Sequence, residues 1–394
     1  MKSDNRNLLG QYIEQVNRIN DDLRYGLDDV RGVSITKEML QSRANVIGRT
    51  FEKFLVISPG DFVFNRRTTR NGEKIGMAFN NTDRDYIFTE DYVAFKVKDD
   101  YKAVLLPEYL YLFFRRSEFD RYARYMSTGS ATEFFNWEDM CNVPFTPPTM
   151  EFQEKMVRAM ATLEHRISVL QQINDNLEAT AQAVFQEQFA SYYGSDELPS
   201  GYSIVNLDSL CTIKGGKRLP ADCELLDTPT EHPYIRVRDV GGSRYICLTS
   251  QFQYIDEETH AAISRYIVNT GDIVISIVGT IGLLGKVHSS LDKANLTENC
   301  VKLADIHSIT SDYLYYTLCY KKEMKEIELL TVGAVQAKLP MYNIQSMKIL
   351  VPPTGVMEEF QRTMDVLNEQ IEANTVEIQK MYELQQVLLA KLAD

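Results

Sequence analysis

The chain has 394 residues, 44% of them hydrophobic and 25% charged, which is enough for two domains with their own cores and connecting segments. Its formal net charge of −13 at first argues against a nucleic-acid partner, because such proteins usually carry clustered Lys and Arg. No signal-peptide pattern follows Met1 and no apolar run of about eighteen residues occurs, so we expect a soluble, cytoplasmic protein with no membrane contact.

The cysteines and histidines give no sign of a metal centre. The six cysteines are scattered without a CxxC pair, so neither a disulfide framework nor a zinc ribbon is indicated, and we expect reduced thiols. The five histidines lie far apart, without the spacing of metal ligands or of a hydrolase triad.

The first block, residues 1–148, mixes two kinds of hydrophobic pattern. A helical stretch is predicted over 8–23, and strand-like runs occur at 51–57, 61–65 and 92–97. This mixture predicts an α+β domain.

A long helix follows directly. The segment 144–149 (PFTPPT) stops any regular element, and beyond it apolar residues recur four and three positions apart over 149–190. At about 1.5 Å per residue, such a helix reaches on the order of 55 Å, which is longer than the first block needs for its own core. A small and polar linker at 191–201 then ends it.

The second block, residues 202–353, repeats this arrangement, with strand-like runs at 234–237, 272–278 and 347–351 and a helix over 354–394. We expect the two long helices to pair as an antiparallel coiled coil, although each could instead dock on its own block or on another protein. Asn174 and Asn374 lie within the apolar seams, where such a residue usually fixes register, although a frayed or locally hydrated position is the alternative. The predicted seam positions are Met156, Leu163, Ile167, Leu170, Asn174, Leu177, Met364, Leu367, Ile371, Asn374, Ile378 and Met381.

The two blocks share landmarks in the same order. Residues 60–63 (GDFV) match 271–274 (GDIV), Gly129 matches Gly333, and the Pro-Pro-Thr at 147–149 matches that at 352–354, with further matches at 89–93 and 297–301, 107–111 and 311–315, and 152–153 and 360–361. A repeat this long indicates two copies of one domain rather than a solenoid.

Two motifs are similar to cofactor-binding or catalytic signatures but do not match them. The glycine-rich segment 279–286 (GTIGLLGK) has neither the spacing of a phosphate loop nor that of a dinucleotide fingerprint. The Pro-Pro sites lack the flanking amide and aromatic residues of an amino-methyltransferase motif. A turn that presents Ser276, Thr280 and backbone amides to a ligand is the better interpretation.

The acidic charge is concentrated on the two helices. Residues 151–190 carry a net charge of −3 and residues 357–394 carry −5, which leaves −5 for both blocks together. Within the blocks, bases cluster at 65–74, 214–218 and 236–238. Such basic and polar loops suit contacts to base edges and phosphates, although a solvated loop is the alternative for each.

Taken in order, the motifs resemble the type I restriction-modification specificity subunits over essentially the full length. One departure is that the family often has Glu-Gln at the helix start, where this chain has Phe152 and Phe360 before the glutamine. The segments that carry the resemblance are 32–38 (GVSITKE), 44–46 (ANV), 59–62 (PGDF), 213–216 (IKGG), 234–236 (YIR), 271–274 (GDIV), 279–282 (GTIG) and 333–336 (GAVQ).

The resemblance implies two α/β target-recognition domains in tandem that read the halves of a bipartite, asymmetric double-stranded DNA target, with the helices as spacer. It implies no catalytic activity, cofactor or metal on this chain. Two methyltransferase subunits would bind AdoMet and methylate adenine N6, and restriction subunits would use ATP and Mg²⁺ to translocate DNA and cleave it. The candidate DNA contacts are Lys37, Asn45, Asn65, Arg66, Arg67, Thr69, Arg70, Lys74, Lys214, Lys217, Arg218, Arg236, Arg238, Ser276, Thr280, Gln336 and Lys338.

Two other classes of protein remain open from the sequence. One is a fused restriction enzyme or methyltransferase with its own active site, and the other is a protein-only coiled-coil adaptor. Incubating the purified chain with DNA and either AdoMet or Mg²⁺ would reveal the first, and the second predicts no DNA binding even with partners present.

Overall fold

The structure, a computed structural model, describes residues 7–41, 48–67, 74–128, 133–193, 195, 197–249, 252–333 and 337–393. The chain forms two compact units, the first from Met1–Ile167 with Lys380–Asp394 and the second from Ser168–Gln379. Each unit contains strands and helices, which confirms the predicted α+β class. Along the described chain, no helix is long and apolar enough to cross a membrane.

The first unit is built on a four-stranded antiparallel sheet in the order β1-β8-β5-β6, beside the two-stranded pairs β2-β3 and β4-β7. The strands are β1 (Ile13–Val16), β2 (Arg31–Val33), β3 (Met39–Gln41), β4 (Leu55–Ile57), β5 (Phe62–Asn65), β6 (Met77–Phe79), β7 (Tyr86–Phe88) and β8 (Tyr92–Val97).

Helices cover the sheet of the first unit. They are α1 (Pro107–Phe114), α2 (Ser117–Met126), α3 (Trp137–Cys141) and α4 (Met150–Phe189), of which only the amino-terminal part of α4 belongs to this unit. The core between them is aromatic: Phe62 stacks on Phe95 with ring centroids 4.9 Å apart, and Phe114 meets both rings edge on. Because aromatic side chains bury large areas, this cluster supplies much of the unit's hydrophobic stabilisation.

The predicted helix over 8–23 is wrong. The structure has a short 3-10 turn at Leu9–Gln11 and then strand β1, which pairs with β8 through Ile13↔Val97 and Val16↔Ala94. The apolar residues of this segment are buried because β1 pairs with β8 at the edge of the sheet. This tertiary pairing overrides the local helical pattern.

The second unit carries a five-stranded sheet in the order β10-β17-β14-β15-β12, a three-stranded sheet β13-β11-β16 and the pair β18-β9. The strands are β9 (Ser203–Asn206), β10 (Thr212–Gly215), β11 (His232–Ile235), β12 (Tyr245–Ile246), β13 (Gln253–Ile255), β14 (Ile273–Ser276), β15 (Leu284–Val287), β16 (Asn295–Leu296), β17 (Cys300–Ala304) and β18 (Lys348–Val351). The helices are α5 (Glu257–Ile263), α6 (Ser311–Glu323), α7 (Glu326–Leu329), α8 (Met341–Gln345) and α9 (Thr354–Ala390).

The sheets confirm the duplication. The four strands β1-β8-β5-β6 of the first unit and the four strands β10-β17-β14-β15 of the second are antiparallel throughout. The second unit adds β12, which runs parallel to β15.

The turns before β5 and β14 also match. Gly60 and Gly271 have φ of +87° and +84°, a conformation that favours glycine. One residue later, Asp61 accepts a hydrogen bond from the Ser58 amide at 2.7 Å, and Asp272 accepts the equivalent bond from Asn269 at 2.9 Å.

The long helices α4 and α9 run antiparallel within the second unit. The Asn374 side-chain amide donates to the Asn174 side-chain oxygen at 2.8 Å, while Phe185 and Phe360 lie with ring centroids 6.2 Å apart. Residue numbers therefore rise along α4 as they fall along α9. The predicted seam positions are buried or half-buried.

The compact units divide inside the helices rather than at their ends. Met156 and Leu389 belong to the core of the first unit, while Phe185 and Phe360 belong to that of the second. Each helix therefore contributes one part to each unit, whereas the predicted boundaries set the helices apart as separate segments.

A buried polar network ties the globular part of the second unit to both long helices. Arg244, with 1% of its side chain exposed, pairs with Asp312 and bonds to Asn368 of α9, and its guanidinium lies 3.7 Å from Glu178 of α4. Lys286 also pairs with Asp312. These two cations and two carboxylates balance in charge, as burial in a low-dielectric interior requires.

Hydrogen bonds complete the network. The second oxygen of Asp312 accepts from Gln361 at 2.8 Å and from Asn368 at 2.7 Å, and the Tyr316 hydroxyl donates to Glu178 at 2.9 Å. Burial alone would raise the pKa of Asp312, but Lys286 and Arg244 outweigh it and lower that pKa to about 2. Asp312 is therefore ionised at neutral pH.

Candidate nucleic-acid interface

In the first unit, the end of β5 and the loop after α2 lie side by side. The Asn65 side chain accepts a hydrogen bond from the Arg67 amide at 3.0 Å, which turns the chain as it leaves the strand. The Arg66 carbonyl accepts from the Phe135 amide at 2.9 Å. Thr128 and Phe134 exchange backbone bonds of 3.1 and 2.9 Å that close the neighbouring loop.

The second unit places the equivalent segments together in the same way. The Ile277 carbonyl accepts from the Leu339 amide at 3.0 Å, while Val332 and Lys338 exchange backbone bonds of 2.8 and 2.9 Å. Val278 forms a bridge to Lys338, as Arg67 does to Phe134. Each unit therefore brings together a strand exit and a loop that are distant in sequence: Arg67 and Phe134 lie 67 positions apart, and Val278 and Lys338 lie 60 apart.

The side chains at these two exits differ in chemistry. Arg67 has 43% of its side chain exposed and lies 3.8 Å from Asp91, and Lys74 beyond it is exposed. Arg66 is half-buried, and its Nε has no hydrogen-bond partner among the described residues. In the second unit the same two scaffold positions are the apolar Ile277 and Val278.

The turn after β14 holds its shape through Ser276. This side chain is fully buried; its hydroxyl donates to the Thr280 carbonyl at 2.6 Å and accepts from the Leu283 amide at 2.8 Å. Gly279 and Gly282 have φ of +82° and +75°, which favours glycine at both corners. The turn exposes Thr280, and Lys338, which forms an isolated bridge to Val278, is also exposed.

A second basic group in this unit surrounds β10. Lys214 is exposed on the strand, and Lys217 places its ammonium 5.8 Å from the centre of the Tyr266 ring. Arg218 is 80% exposed and donates to Glu298 at 2.7 Å. Gly216 lies where the chain passes against the backbone of residues 296 and 297, with no room for a Cβ.

Arg236 and Arg238 point in different directions although they lie two residues apart. The Arg236 side chain is 13% exposed and donates to Asp239 at 2.9 Å and also to Gln253. Arg238 has 64% of its side chain exposed and remains at the surface. The Arg236 side chain therefore holds a turn, and Arg238 is the residue of this pair that a ligand can reach.

Two further candidates face the interior and are withdrawn as ligand contacts. The Lys37 ammonium is 3% exposed, donates to the Ile75 carbonyl at 2.6 Å and pairs with Asp120. Burial lowers the pKa of Lys37, and Asp120 opposes this shift. Ser276 is withdrawn because both roles of its hydroxyl are used within the turn.

Four candidates, Asn45, Thr69, Arg70 and Gln336, lie outside the described residues. In the described parts of the chain, no group of three or more His, Cys, Asp or Glu side chains could hold a metal ion.

Sequence reasoning missed two exposed side chains beside the loops. Tyr125, near the end of α2, is 85% exposed, and Leu329, at the end of α7, is 83% exposed. The signal was present in the repeat: both lie four residues before the matched glycines, Gly129 and Gly333. Large apolar side chains so fully exposed at matched positions are unlike isolated surface residues.

The chain is similar to known proteins over most of its length. The family model described as "Type I restriction modification DNA specificity domain" matches residues 35–179 and 199–383. The chain is 21% identical over 311 residues to the type I restriction enzyme MjaIX specificity subunit of Methanocaldococcus jannaschii, covering 74% of this chain and 69% of that protein. It is 20% identical over 407 residues to the HindI specificity subunit of Haemophilus influenzae, covering 85% and 86%.

Among solved structures, the chain is similar to the S subunit of a type I restriction-modification system from M. genitalium. The sequence identity is 14% and the TM-score is 0.48, with 100% of this chain and 97% of that chain covered.

Proposed function

Because the chain belongs to the type I restriction-modification DNA specificity family, as a non-catalytic specificity subunit, we propose that it reads a bipartite, asymmetric sequence in double-stranded DNA. In this proposal each unit reads one half of the target. The subunit directs N6-adenine methylation and restriction that partner subunits carry out.

The observation that carries the proposal is the contrast between a repeated scaffold and unlike side chains. The amide of Phe135 bonds to the Arg66 carbonyl in one unit, and the amide of Leu339 bonds to the Ile277 carbonyl in the other. Ile277 itself is buried, so the accessible contrast lies one residue further on, between Arg67 and the half-buried Val278. An arginine can donate two hydrogen bonds to guanine, whereas valine makes only apolar contacts. Two such readers would recognise different half-sites, which makes the target asymmetric.

Partners supply what the proposal does not assign to this chain. Two methyltransferase subunits bind AdoMet, and restriction subunits reached through them use ATP and Mg²⁺. The acidic helices α4 and α9 would set the length of the unread spacer between the half-sites, and the complex would act in the cytoplasm. The local bases at Arg67, Lys74, Lys217 and Arg238 support DNA contact despite the net charge of −13.

The test is a genome-wide map of N6-methyladenine in strains with the gene, without it, and with Arg66→Ala/Arg67→Ala. We expect a bipartite methylated sequence that disappears with the gene, and in the variant a loss or relaxation of one half-site only. An Arg24→Ala/Arg84→Ala variant is the matched control, because these exposed arginines lie near Asp85, away from the exit of β5. A map unaffected by loss of the gene would refute the proposed function.

A further inference from the structure

Tyr125 and Leu329 occupy equivalent positions in the two units. Two residues before each lies a buried apolar side chain, Ala123 at 1% exposure or Ile327 at 2%. Two residues after each, a hydroxyl donates back to the carbonyl of that buried residue: Ser127 at 2.7 Å and Thr331 at 3.1 Å. The same local anchor therefore fixes both positions, yet the residue between anchor points faces solvent in each unit.

These positions are adjacent to the candidate interface. Three residues beyond Tyr125, Thr128 bonds to Phe134, which bridges to Arg67, and three residues beyond Leu329, Val332 bonds to Lys338. Since consecutive Cα atoms are about 3.8 Å apart, each exposed side chain starts within about 11 Å of the loop closure. In each unit, a ligand that covers the strand exit and the loop would therefore also contact the exposed side chain of that unit.

Basic side chains accompany them. Arg121, 74% exposed, precedes Tyr125 by four residues on helix α2, and the exposed Lys325 precedes Leu329 by the same interval. Arg121 and Tyr125 therefore share one face of α2, whereas Lys325 is the exposed residue just before α7, with φ of +60°. An exposed cation next to an exposed apolar side chain suits a nucleic acid, in which phosphates flank apolar sugar and base surfaces.

We propose that Tyr125 and Leu329 are equivalent specificity-determining residues, each pressing on the sugars and base edges of one half-site while Arg121 or Lys325 binds the adjacent phosphate. This inference rests on the proposed function and extends it to a second contact element in each unit. Leu329 makes only apolar contacts, as with a thymine methyl group or a deoxyribose. Tyr125 can also stack and form a hydrogen bond, so the two half-sites are read differently here too.

The test uses the full chain assembled with its methyltransferase subunits. Dissociation constants are measured for the methylated target sequence and for two duplexes in which one or the other half-site is scrambled. Tyr125→Ala should weaken binding to the target by between about 5- and 100-fold, the loss typical of one stacked or apolar base contact. It should also remove discrimination at the half-site that Arg66→Ala/Arg67→Ala affects, whereas Leu329→Ala should act on the other.

Two further variants separate the contributions. Arg121→Gln should lower the slope of log affinity against log salt by about one while leaving discrimination unchanged, because a single phosphate contact is lost. Val104→Ala is the matched control. Val104 is an exposed apolar residue that follows the carboxyl end of β8. Asn65, at the exit of β5, pairs with Tyr92 at the start of β8, so the carboxyl end of β8 lies away from that exit. The Val104→Ala variant should bind as the wild type does.

The outcomes distinguish the two proposals. If the wild-type complex prefers the target and both alanine variants bind all three duplexes as it does, the inference is wrong and the proposed function stands. If the wild-type complex prefers none of the duplexes, the proposed function itself fails. If the alanine variants instead lose their methyltransferase subunits at unchanged DNA affinity per assembled complex, the exposed pair is a protein interface and the inference is overturned.

Discussion

Replacing Asp312 with asparagine tests whether the buried network holds the second unit to the helices. The substitution keeps the shape of the side chain and removes its negative charge. Arg244 and Lys286 then share an interior site with Glu178 as the one remaining carboxylate of the four-charge set. Asparagine keeps one acceptor oxygen, so its NH2 group must face either the Gln361 and Asn368 donors or the two cations, and one of these pairs loses its acceptor.

Two contributions determine the expected loss in the free energy of unfolding. The pKa of Asp312 is lowered from 3.8 to about 2, and at about 1.4 kcal/mol per unit this corresponds to about 2 kcal/mol of stabilisation from ionisation. The lost hydrogen bonds and the unbalanced cations add to it, and removing one partner of a buried ion pair typically costs about 3 to 5 kcal/mol. We therefore expect the unfolding free energy of the second unit to fall by about 3 kcal/mol or more.

Hydrogen exchange measured by mass spectrometry is the suitable assay, because it reports each segment separately. Peptides from α6 should exchange on the order of 100-fold faster in Asp312→Asn than in wild type, since about 1.4 kcal/mol corresponds to a factor of ten. The single tryptophan, Trp137, lies in the first unit, so its fluorescence reports the stability of that unit separately. Asp208→Asn, at an exposed site in the second unit, is the matched control.

The pH dependence gives an independent check with a defined sign. Because the folded-state pKa of Asp312 is lowered, its ionisation stabilises the wild type fully above about pH 4, and this contribution is lost as the pH falls through about 2. The difference between wild type and variant should be constant from pH 5 to about 7 and should narrow in stronger acid. Equal exchange rates in α6 for the two proteins at pH 7 would refute the reasoning.

Two further predictions concern packing. Asn374→Leu should lower stability by about 1 kcal/mol, because Asn174 loses the donor of its 2.8 Å hydrogen bond, whereas replacing both asparagines by leucine should be neutral or stabilising. Thermal unfolding of the wild type and the two variants checks this prediction. A double variant less stable than the single one would contradict it. Gly216→Ala should lower the free energy of unfolding by about 2 kcal/mol or more, because its Cβ would overlap the Thr297 carbonyl. Gly242→Ala is the control, because the space around Gly242 is open and its stability should change little. Equal urea midpoints for the two variants would show that the overlap is relieved without loss of stability.

Repetition made the scaffold predictable. The Gly-Asp pairs at 60–61 and 271–272 predicted matched elements, and both form turns with positive φ at the glycine and an aspartate that caps the preceding loop. The long helices were predictable because their apolar period persists over nearly forty residues, 40 in α4 and 37 in α9. The segment 8–23 lacked such length, and a four-stranded sheet decided its structure instead.

The direction of individual polar side chains was not predictable in the same way. Arg236 and Arg238 lie on one short turn and both approach Asp239 and Gln253. Arg236 donates to Asp239 at 2.9 Å and is 13% exposed, whereas Arg238 lies 3.9 Å from Asp239 and remains 64% exposed. The loops at residues 65–74 and 236–238 were therefore identified as basic segments, but the sequence could not say which of their side chains a ligand reaches.

By itself, the sequence determined that two copies of one α+β domain alternate with two long helices and that their loops diverge in chemistry. These features depend on local pattern and on comparison of the chain with itself. Only the tertiary structure decided that Lys37 is buried against Asp120, 83 residues away, and that Arg244 meets Asp312 across 68 residues. Whether a charge faces solvent or an ion partner depends on which distant carboxylate the fold brings to it, because burial is tolerated only when such a partner is present.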